Sequence, residues 1–190
     1  MLSPSGIIEE SYEIKNSKFL AFLTPKEVFI DFIAKMRVKH PKAAHFVNAS
    51  RGFNEQGQIV ESFSDDGEPK GTSGMPTLKV LRGYELIECG LVIVRYFGGV
   101  LLGSGGLVRA YTQSAKEAIL KAQNLDALIP YTPKTKKEIF IPFSDLSQAE
   151  YWIKKMEIEI LKRNFQSEGV LLEISASLES VRSFLEALEY

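Results

Sequence analysis

The stretch RYFGGVLLGSGGLVRAY, Arg95–Tyr111, holds five of the 14 glycines in this 190-residue chain. An apolar run at Leu91–Val94 leads into it and predicts a strand, and a helical pattern follows at Ala110–Ala122. Glycine inside a helix or strand costs roughly 0.5–1 kcal/mol of stability, so five glycines together need a physical reason. The pattern indicates a sharp passage from strand to helix, or a backbone that lies very close to another group.

The same stretch carries groups that suit a negatively charged ligand. A helix N-terminus exposes free N–H groups and about half a positive charge, and glycine lets several such groups converge on one anion. Two arginines flank the glycines, and guanidinium groups match phosphate or carboxylate. The alternative is a tight crossover whose arginines pair with nearby acids, and the sequence leaves both open. The predicted anion-binding residues are Arg95, Gly98, Gly99, Gly103, Gly105, Gly106 and Arg109.

Two nucleotide-binding templates do not match this stretch. The Walker A motif needs a lysine after its second glycine, and Arg95–Tyr111 contains no lysine. The dinucleotide pattern needs three glycines, of which Gly103 and Gly105 supply two, while Val108 occupies the third position. We therefore expect no nucleotide cofactor, and no other cofactor is indicated.

An acidic loop, SDDGEPKGTSG at residues 64–74, is the second unusual segment. Its carboxylates could bind a hard cation, but its Asp-Gly and Glu-Pro pairs are turn dipeptides and its Thr-Ser pair can cap a helix. We therefore expect this loop to shape the rim of the anion site, with no metal. The predicted rim residues are Asp65, Asp66, Gly67, Glu68, Gly71, Thr72, Gly74 and, from a separate strand, His45.

Catalytic residues are not indicated. The chain has no nucleophile-elbow motif, and Ser104 lies between two glycines, which would not hold a nucleophile in place. His45 either lines a pocket or serves as a hydrogen-bonded structural residue. The single cysteine, Cys89, excludes an internal disulfide and any zinc site built from several cysteines.

The composition is that of a globular protein, with 45% apolar and 25% charged residues. The net charge of −1 provides no overall attraction to nucleic acid or anionic membrane, so an anion site must be local. The N-terminus lacks a signal-peptide pattern, and no apolar run approaches the roughly 20 residues of a membrane span. We expect a cytoplasmic protein with no membrane partner.

The chain reads as two segments that meet after Leu128, where Pro130 and Pro133 indicate a linker. The order β-α-β-β-α is predicted between Lys136 and Leu188, which fits a ferredoxin-like domain that lacks its final strand. In the first segment, strands and helices alternate irregularly. Strands are predicted at Ile7–Ile14, Lys18–Thr24, His45–Ala49, Gln58–Phe63 and Glu85–Val94, and helices from Pro25, at Met75–Leu81 and at Ala110–Ala122.

Two segments together resemble the signatures of the IMPACT family, in its bacterial YigZ-like branch. They are SDDGEPKGTSGMPTLKVL at residues 64–81 and LVIVRYFGGVLLGSGGLVRAY at residues 91–111, supported by KNSKFLAF and AAHFVNAS. The resemblance implies an α+β protein with two domains. Residues 1–128 would be like domain 2 of ribosomal protein S5, and residues 134–190 like the C-terminal ferredoxin-like domain of elongation factor G.

The resemblance further implies a translation-associated regulator that binds RNA or a ribosome-associated protein. It brings no catalytic residues, so an enzyme is the less favoured reading. Two alternatives stay open: an enzyme acting on a small phosphorylated metabolite in the same cleft, and a protein–protein adaptor anchored by Tyr96 and Phe97. Lysines near Lys134 and the aromatic side chains of Tyr151, Trp152 and Phe165 add a candidate contact with single-stranded RNA.

Overall fold

The structure, a computed structural model, describes residues 1–54 and 56–188 and has mixed α and β architecture. It divides into two compact units, Met1–Tyr131 and Thr132–Tyr190. Among the described residues, no helix has the length and apolar character needed to cross a membrane.

The first unit is built on a five-stranded antiparallel sheet with the strand order β2-β3-β6-β4-β5. The central strand, β6, is buried from Cys89 to Arg95, so its apolar run suits a strand covered on both faces. The strands of this unit are β1 (Leu2–Pro4), β2 (Ile8–Ile14), β3 (Ser17–Pro25), β4 (His45–Phe53), β5 (Ile59–Ser64), β6 (Cys89–Tyr96) and β7 (Leu128–Pro130).

Helices cover both faces of this sheet. On one face lies α1 (Phe29–Lys39), which follows a short 3-10 turn and packs its aromatic residues against β3 and β6. On the other face lie α2 (Gly74–Gly83) and α3 (Gly103–Asn124), which enclose the larger core. Half of the buried residues of α3 are alanines, which lets this helix pack close to the sheet.

The structure places the start of α3 at Gly103, seven residues before the predicted helix. Gly103–Gly106 therefore form its first turn, because a helix of 22 residues with a buried face tolerates the weak propensity of a glycine-rich start. The expected close approach of the backbone occurs at Gly98, where an added Cβ would lie 2.1 Å from the carbonyl carbon of Asn16.

Other boundaries also differ from the sequence prediction, among them the end of β4, which extends to Phe53 beyond the predicted Ala49. β6 begins at Cys89, four residues late, because Glu85 and Glu88 adopt positive φ angles that interrupt an extended strand. Residues expected to begin a linker form β7, which pairs antiparallel with β1. That pair is short, and its residues carry no alternating pattern, so the sequence gives little sign of it.

The second unit follows the predicted element order β-α-β-β-α. Its antiparallel sheet has the order β8-β10-β9, and its two helices share one core with the sheet. The elements are β8 (Lys134–Pro142), α4 (Leu146–Lys155), β9 (Glu159–Phe165), β10 (Gly169–Ser177) and α5 (Leu178–Ala187).

Candidate functional site

A cleft of about 460 Å³ opens where β6 ends, and we call it the β6 cleft. The acidic loop, the start of β4 and the first turn of α3 form its walls. The residues that carry its chemistry are His45, Glu68, Arg95, Phe97, Leu101 and Ser104.

A buried ion pair lies at the base of the β6 cleft. Nη1 of Arg95 donates to Oε1 of Glu68 at 2.5 Å, and these side chains are only 6% and 3% exposed. The hydroxyl of Tyr111 donates to the same oxygen at 2.7 Å. Burial and then the charge of Glu68 raise the pKa of Tyr111, so this hydroxyl stays a donor. The pair neutralises most of the charge that Arg95 would otherwise present to a ligand.

One donor of Arg95 has no partner. Its Nε is buried and makes no hydrogen bond within the described part of the chain. A buried N–H that lacks an acceptor costs about 1–3 kcal/mol of stability. The guanidinium also lies 5.5 Å from the ring of Phe19 and 5.7 Å from that of Phe97, and Phe97 is 51% exposed.

His45 is both a structural residue and a cleft residue. Its Nδ1 lies 2.9 Å from the carbonyl oxygen of Asp66, which can only accept, so Nδ1 carries the proton. In the neutral ring, Nε2 is then an acceptor, and it lies 3.8 Å from Oε1 of Glu68. His45 thus makes a structural hydrogen bond and also lines the β6 cleft. Its role in the site stays a prediction.

The carboxylate of Asp65 caps α2. It accepts from the amides of Gly71, Ser73 and Gly74 at 2.8–3.2 Å and from the Ser73 hydroxyl at 2.7 Å. Burial alone would raise the pKa of Asp65, but these hydrogen bonds outweigh it and lower the pKa. Gly74 leaves no room for a side chain, since a Cβ there would lie 2.8 Å from the Ser64 backbone.

The other rim residues hold the loop together. Asp66 pairs with Arg37 at 2.5 Å and accepts from the amide of Phe46 at 2.6 Å. Thr72 closes a turn by donating its hydroxyl to the Pro69 carbonyl at 2.6 Å. Each acid of the loop has a separate protein partner. Among the described residues, no group of three or more His, Cys, Asp or Glu side chains is arranged to hold a metal ion. Gly67 and Gly71 occupy positive φ angles of 87° and 78°.

The structure does not bring all predicted anion-binding residues together. Arg95 and Gly103 line the β6 cleft, whereas Arg109 lies on the exposed side of α3 and lines another cavity of about 470 Å³. The amide of Gly98 is occupied by the Ser17 hydroxyl at 3.2 Å.

The remaining glycines stand around the helix start. Gly99 turns the chain at φ 81°, Gly105 is exposed beside Arg109, and Gly106 packs against Leu102. The anion-binding role of this whole set stays a prediction.

Sequence reasoning did not assign Phe97 and Ser104 to the cleft, nor Tyr111 to the buried ion pair at its base. The signal for Tyr111 was present, because a tyrosine on an otherwise alanine-rich buried helix face needs a partner for its hydroxyl. Nothing in the sequence indicates that this partner is Glu68, which lies 43 positions away in the chain.

Comparisons with known proteins address the family. A family model described as the Impact N-terminal domain matches residues 15–119. The "IMPACT family member" of Haemophilus influenzae is 34% identical over 98% of this chain and 90% of that protein. The Escherichia coli "IMPACT family member YigZ" is 33% identical over 96% of this chain and 89% of that protein.

A solved structure shares the fold. The chain described as "Crystal structure of an hypothetical protein" superposes with a TM-score of 0.74 at 32% identity, over 98% of this chain and 90% of that chain. The signature segments, the family model and the relatives agree, and this chain belongs to the IMPACT family.

Proposed function

We propose that this chain is a translation-associated regulator that binds RNA, with the β6 cleft and the adjoining glycine/arginine surface as the contact. The contacting set comprises Arg95, the glycines from Gly98 to Gly106, and Arg109, and the acidic loop forms the rim. A cytoplasmic location belongs to the same proposal.

The observation that carries this proposal is the unpaired Nε of Arg95. Arg95 lines the β6 cleft together with the first turn of α3, and its Nε is a buried donor without an acceptor. A phosphate oxygen that reached this donor would gain both a hydrogen bond and the helix dipole. The exposed ring of Phe97 beside the same guanidinium offers a surface for an unpaired base to stack on. A single-stranded RNA presents a phosphate next to an unpaired base, so both contacts could be made by the same strand.

The two units support the proposal through their expected folds. The five-stranded sheet with its helices is the part that we assign to the domain 2 fold of ribosomal protein S5. The second unit, with the order β8-β10-β9, is what a ferredoxin-like domain retains without its last strand. Domains of both kinds occur in proteins that contact ribosomal RNA.

The second unit contributes less charge than its sequence indicates. Lys134 pairs with Glu159 at 2.9 Å and Arg163 with Glu150 at 2.8 Å. Lys155 lies 4.5 Å from the ring of Trp152. We therefore place the main RNA contact in the first unit.

The test uses a charge change that does not harm the fold. Ser104 is exposed in the first turn of α3 and lines the cleft, so Ser104→Glu adds an anion where a helix N-terminus tolerates it well. Ser104→Gln is the matched neutral control. Fluorescence anisotropy with a single-stranded RNA oligonucleotide should show roughly tenfold or greater weakening for Ser104→Glu alone.

A second test of the RNA proposal measures how salt changes RNA binding and whether the chain binds ribosomes. Arg109→Ala should reduce the slope of log K against log salt by about 0.7 for a single strand or about 0.9 for a duplex. The chain should sediment with ribosomes at low salt and dissociate at high salt. Unchanged RNA affinity in both Ser104→Glu and Arg109→Ala contradicts the proposal, and ribosome binding that survives nuclease and high salt assigns a protein partner instead.

A second function, an enzyme acting on a small phosphorylated compound, is favoured by one observation. The acceptor Nε2 of His45 and the carboxylate of Glu68 share the β6 cleft with a helix N-terminus, which is an arrangement for moving a proton beside a bound phosphate. A thermal-shift screen of phosphorylated metabolites tests it, because a ligand at 100 times its Kd adds about 2.7 kcal/mol of stability. No shift at millimolar concentrations removes this function.

A further inference from the structure

A second cavity, of about 610 Å³, lies between α2 and α3, and no residue lines both this cavity and the β6 cleft. We call it the helix groove. Its apolar lining comes from Met75, Pro76 and Val80 of α2 and from Val108 of α3. Val108 is 37% exposed, so part of this apolar surface faces solvent.

The two helices that form the groove are strongly basic within a chain of net charge −1. Together they carry five cationic residues and one acid, Glu117, whose carboxylate accepts from Gln113 at 2.9 Å. Arg82 and Lys121 are engaged by Glu61 and Glu10. The other cations are Lys79, Arg109 and Lys116, and none of these has an ion pair within residues 1–54 and 56–188.

Two of these unpaired lysines border the groove. Lys79 lines it from α2 and Lys116 from α3, with the hydroxyl-bearing Thr112 and Tyr84 also at its edge. The groove is therefore an apolar strip between two solvent-exposed positive charges.

The dimensions suit a short helix. The groove runs from Met75 to Gly83 on one side and from Val108 to Lys116 on the other. Each side spans nine residues, and the eight rises between them amount to about 12 Å at 1.5 Å per residue. That length accommodates two turns of a helix, with apolar side chains spaced i, i+3 or i+4, and i+7 on its buried face.

We propose that the helix groove binds an acidic amphipathic helix of a partner protein. Apolar side chains of that helix fill the strip over Met75, Val80 and Val108, and its Asp or Glu side chains meet Lys79 and Lys116. A nucleic acid backbone fits less well, because an apolar floor offers phosphate no hydrogen bond. The groove shares no lining residue with the β6 cleft, so either proposal can fail alone.

The test is selection from a displayed library of amphipathic helical peptides with randomised polar positions, against the full-length chain. The proposal requires selected peptides that combine Leu, Ile or Phe at helical spacing with Asp and Glu. Lys79→Glu/Lys116→Glu should weaken the binding of these peptides about tenfold, because two exposed ion pairs are lost and two repulsive carboxylates take their place. The matched control Lys35→Glu/Lys154→Glu makes the same charge change on two other exposed helical lysines and should leave binding unchanged.

A further variant separates the apolar contribution from the charge. Val108→Lys adds a positive charge at an exposed helical position, so binding by charge alone would strengthen, whereas binding into an apolar strip weakens. Circular dichroism melts confirm that each variant is folded. The proposal is overturned by a library that yields no binder, by selected peptides without acids, by stronger binding to Val108→Lys, or by equal effects of the two double variants. Displacement of the peptide by single-stranded RNA assigns the groove to nucleic acid and also overturns it.

Discussion

Replacing Glu68 by glutamine should destabilise the first unit by about 3–5 kcal/mol, the usual cost of removing one partner of a buried ion pair. The glutamine keeps the size and one acceptor oxygen of Glu68 but leaves the charge of Arg95 without compensation at a site where both side chains are at least 94% buried. Tyr111 also loses a charged acceptor for its hydroxyl. Since domain stabilities are typically 5–15 kcal/mol, this substitution should remove a large share of the total.

Urea unfolding followed by circular dichroism measures the effect, and the fluorescence of Trp152, the only tryptophan, follows the second unit separately. Tyr111→Phe serves as the graded control, because it removes one hydrogen bond to a charged group and should cost about 1.5–3 kcal/mol. The double variant Glu68→Leu/Arg95→Met should be more stable than Glu68→Gln, because no charge then remains buried. If the unfolding free energy of Glu68→Gln lies within about 1 kcal/mol of that of the native chain, the charge of Glu68 does not stabilise the buried Arg95 and the reasoning fails.

Three further predictions concern single residues. The thiol of Cys89 is fully buried, and this burial raises its pKa to about 12. Ellman's reagent should therefore react with Cys89 only in denaturant. Rapid reaction with the native chain would contradict this burial. Gly98→Ala should destabilise the chain because its Cβ would meet the Asn16 backbone. Gly105→Ala should stabilise α3 by about 0.5–1 kcal/mol, because its Cβ meets nothing closer than 3.6 Å. Thermal melts that rank the two variants in the opposite order would refute this account of the two glycines. The folded pKa of Asp65 lies below its ordinary value of 3.8, so the stabilisation by this carboxylate is fully present above pH 3.8 and is lost as the pH falls through the folded pKa. The difference in unfolding free energy between the native chain and Asp65→Asn should therefore narrow as the pH falls below 3.8. A difference that widens with acidity would be inconsistent with this cap.

The sequence predicted the elements of the fold better than the contacts of the site. Hydrophobic periodicity located β6 and the buried face of α3, since both follow from local spacing. It placed the start of α3 too late, because the glycines lower helix propensity and only tertiary packing compensates for them.

The two arginines show why the site was harder to predict. The sequence left open whether they bind an anion or pair with acids of the loop. The structure pairs Arg95 with Glu68, 27 positions away, and leaves Arg109 on the outer side of α3 without an ion pair among the described residues. Spacing along the chain indicates which side chains share a helix face, but not which distant loop folds against a strand end.

The pairing of β1 with β7 joins residues that are more than 120 positions apart in the chain. During synthesis, β1 cannot pair with β7 until Leu128–Pro130 has been made, and by then every other strand of the first unit has been synthesised. The hydrogen bonds between β1 and β7 are therefore among the last that can form in this unit. A chain that ends before Leu128 would leave β1 without this partner strand. Folding intermediates should therefore be recognised by amide protons of Ser3 and Ser5, which face β7 and the residue before it, that exchange faster than those of β6.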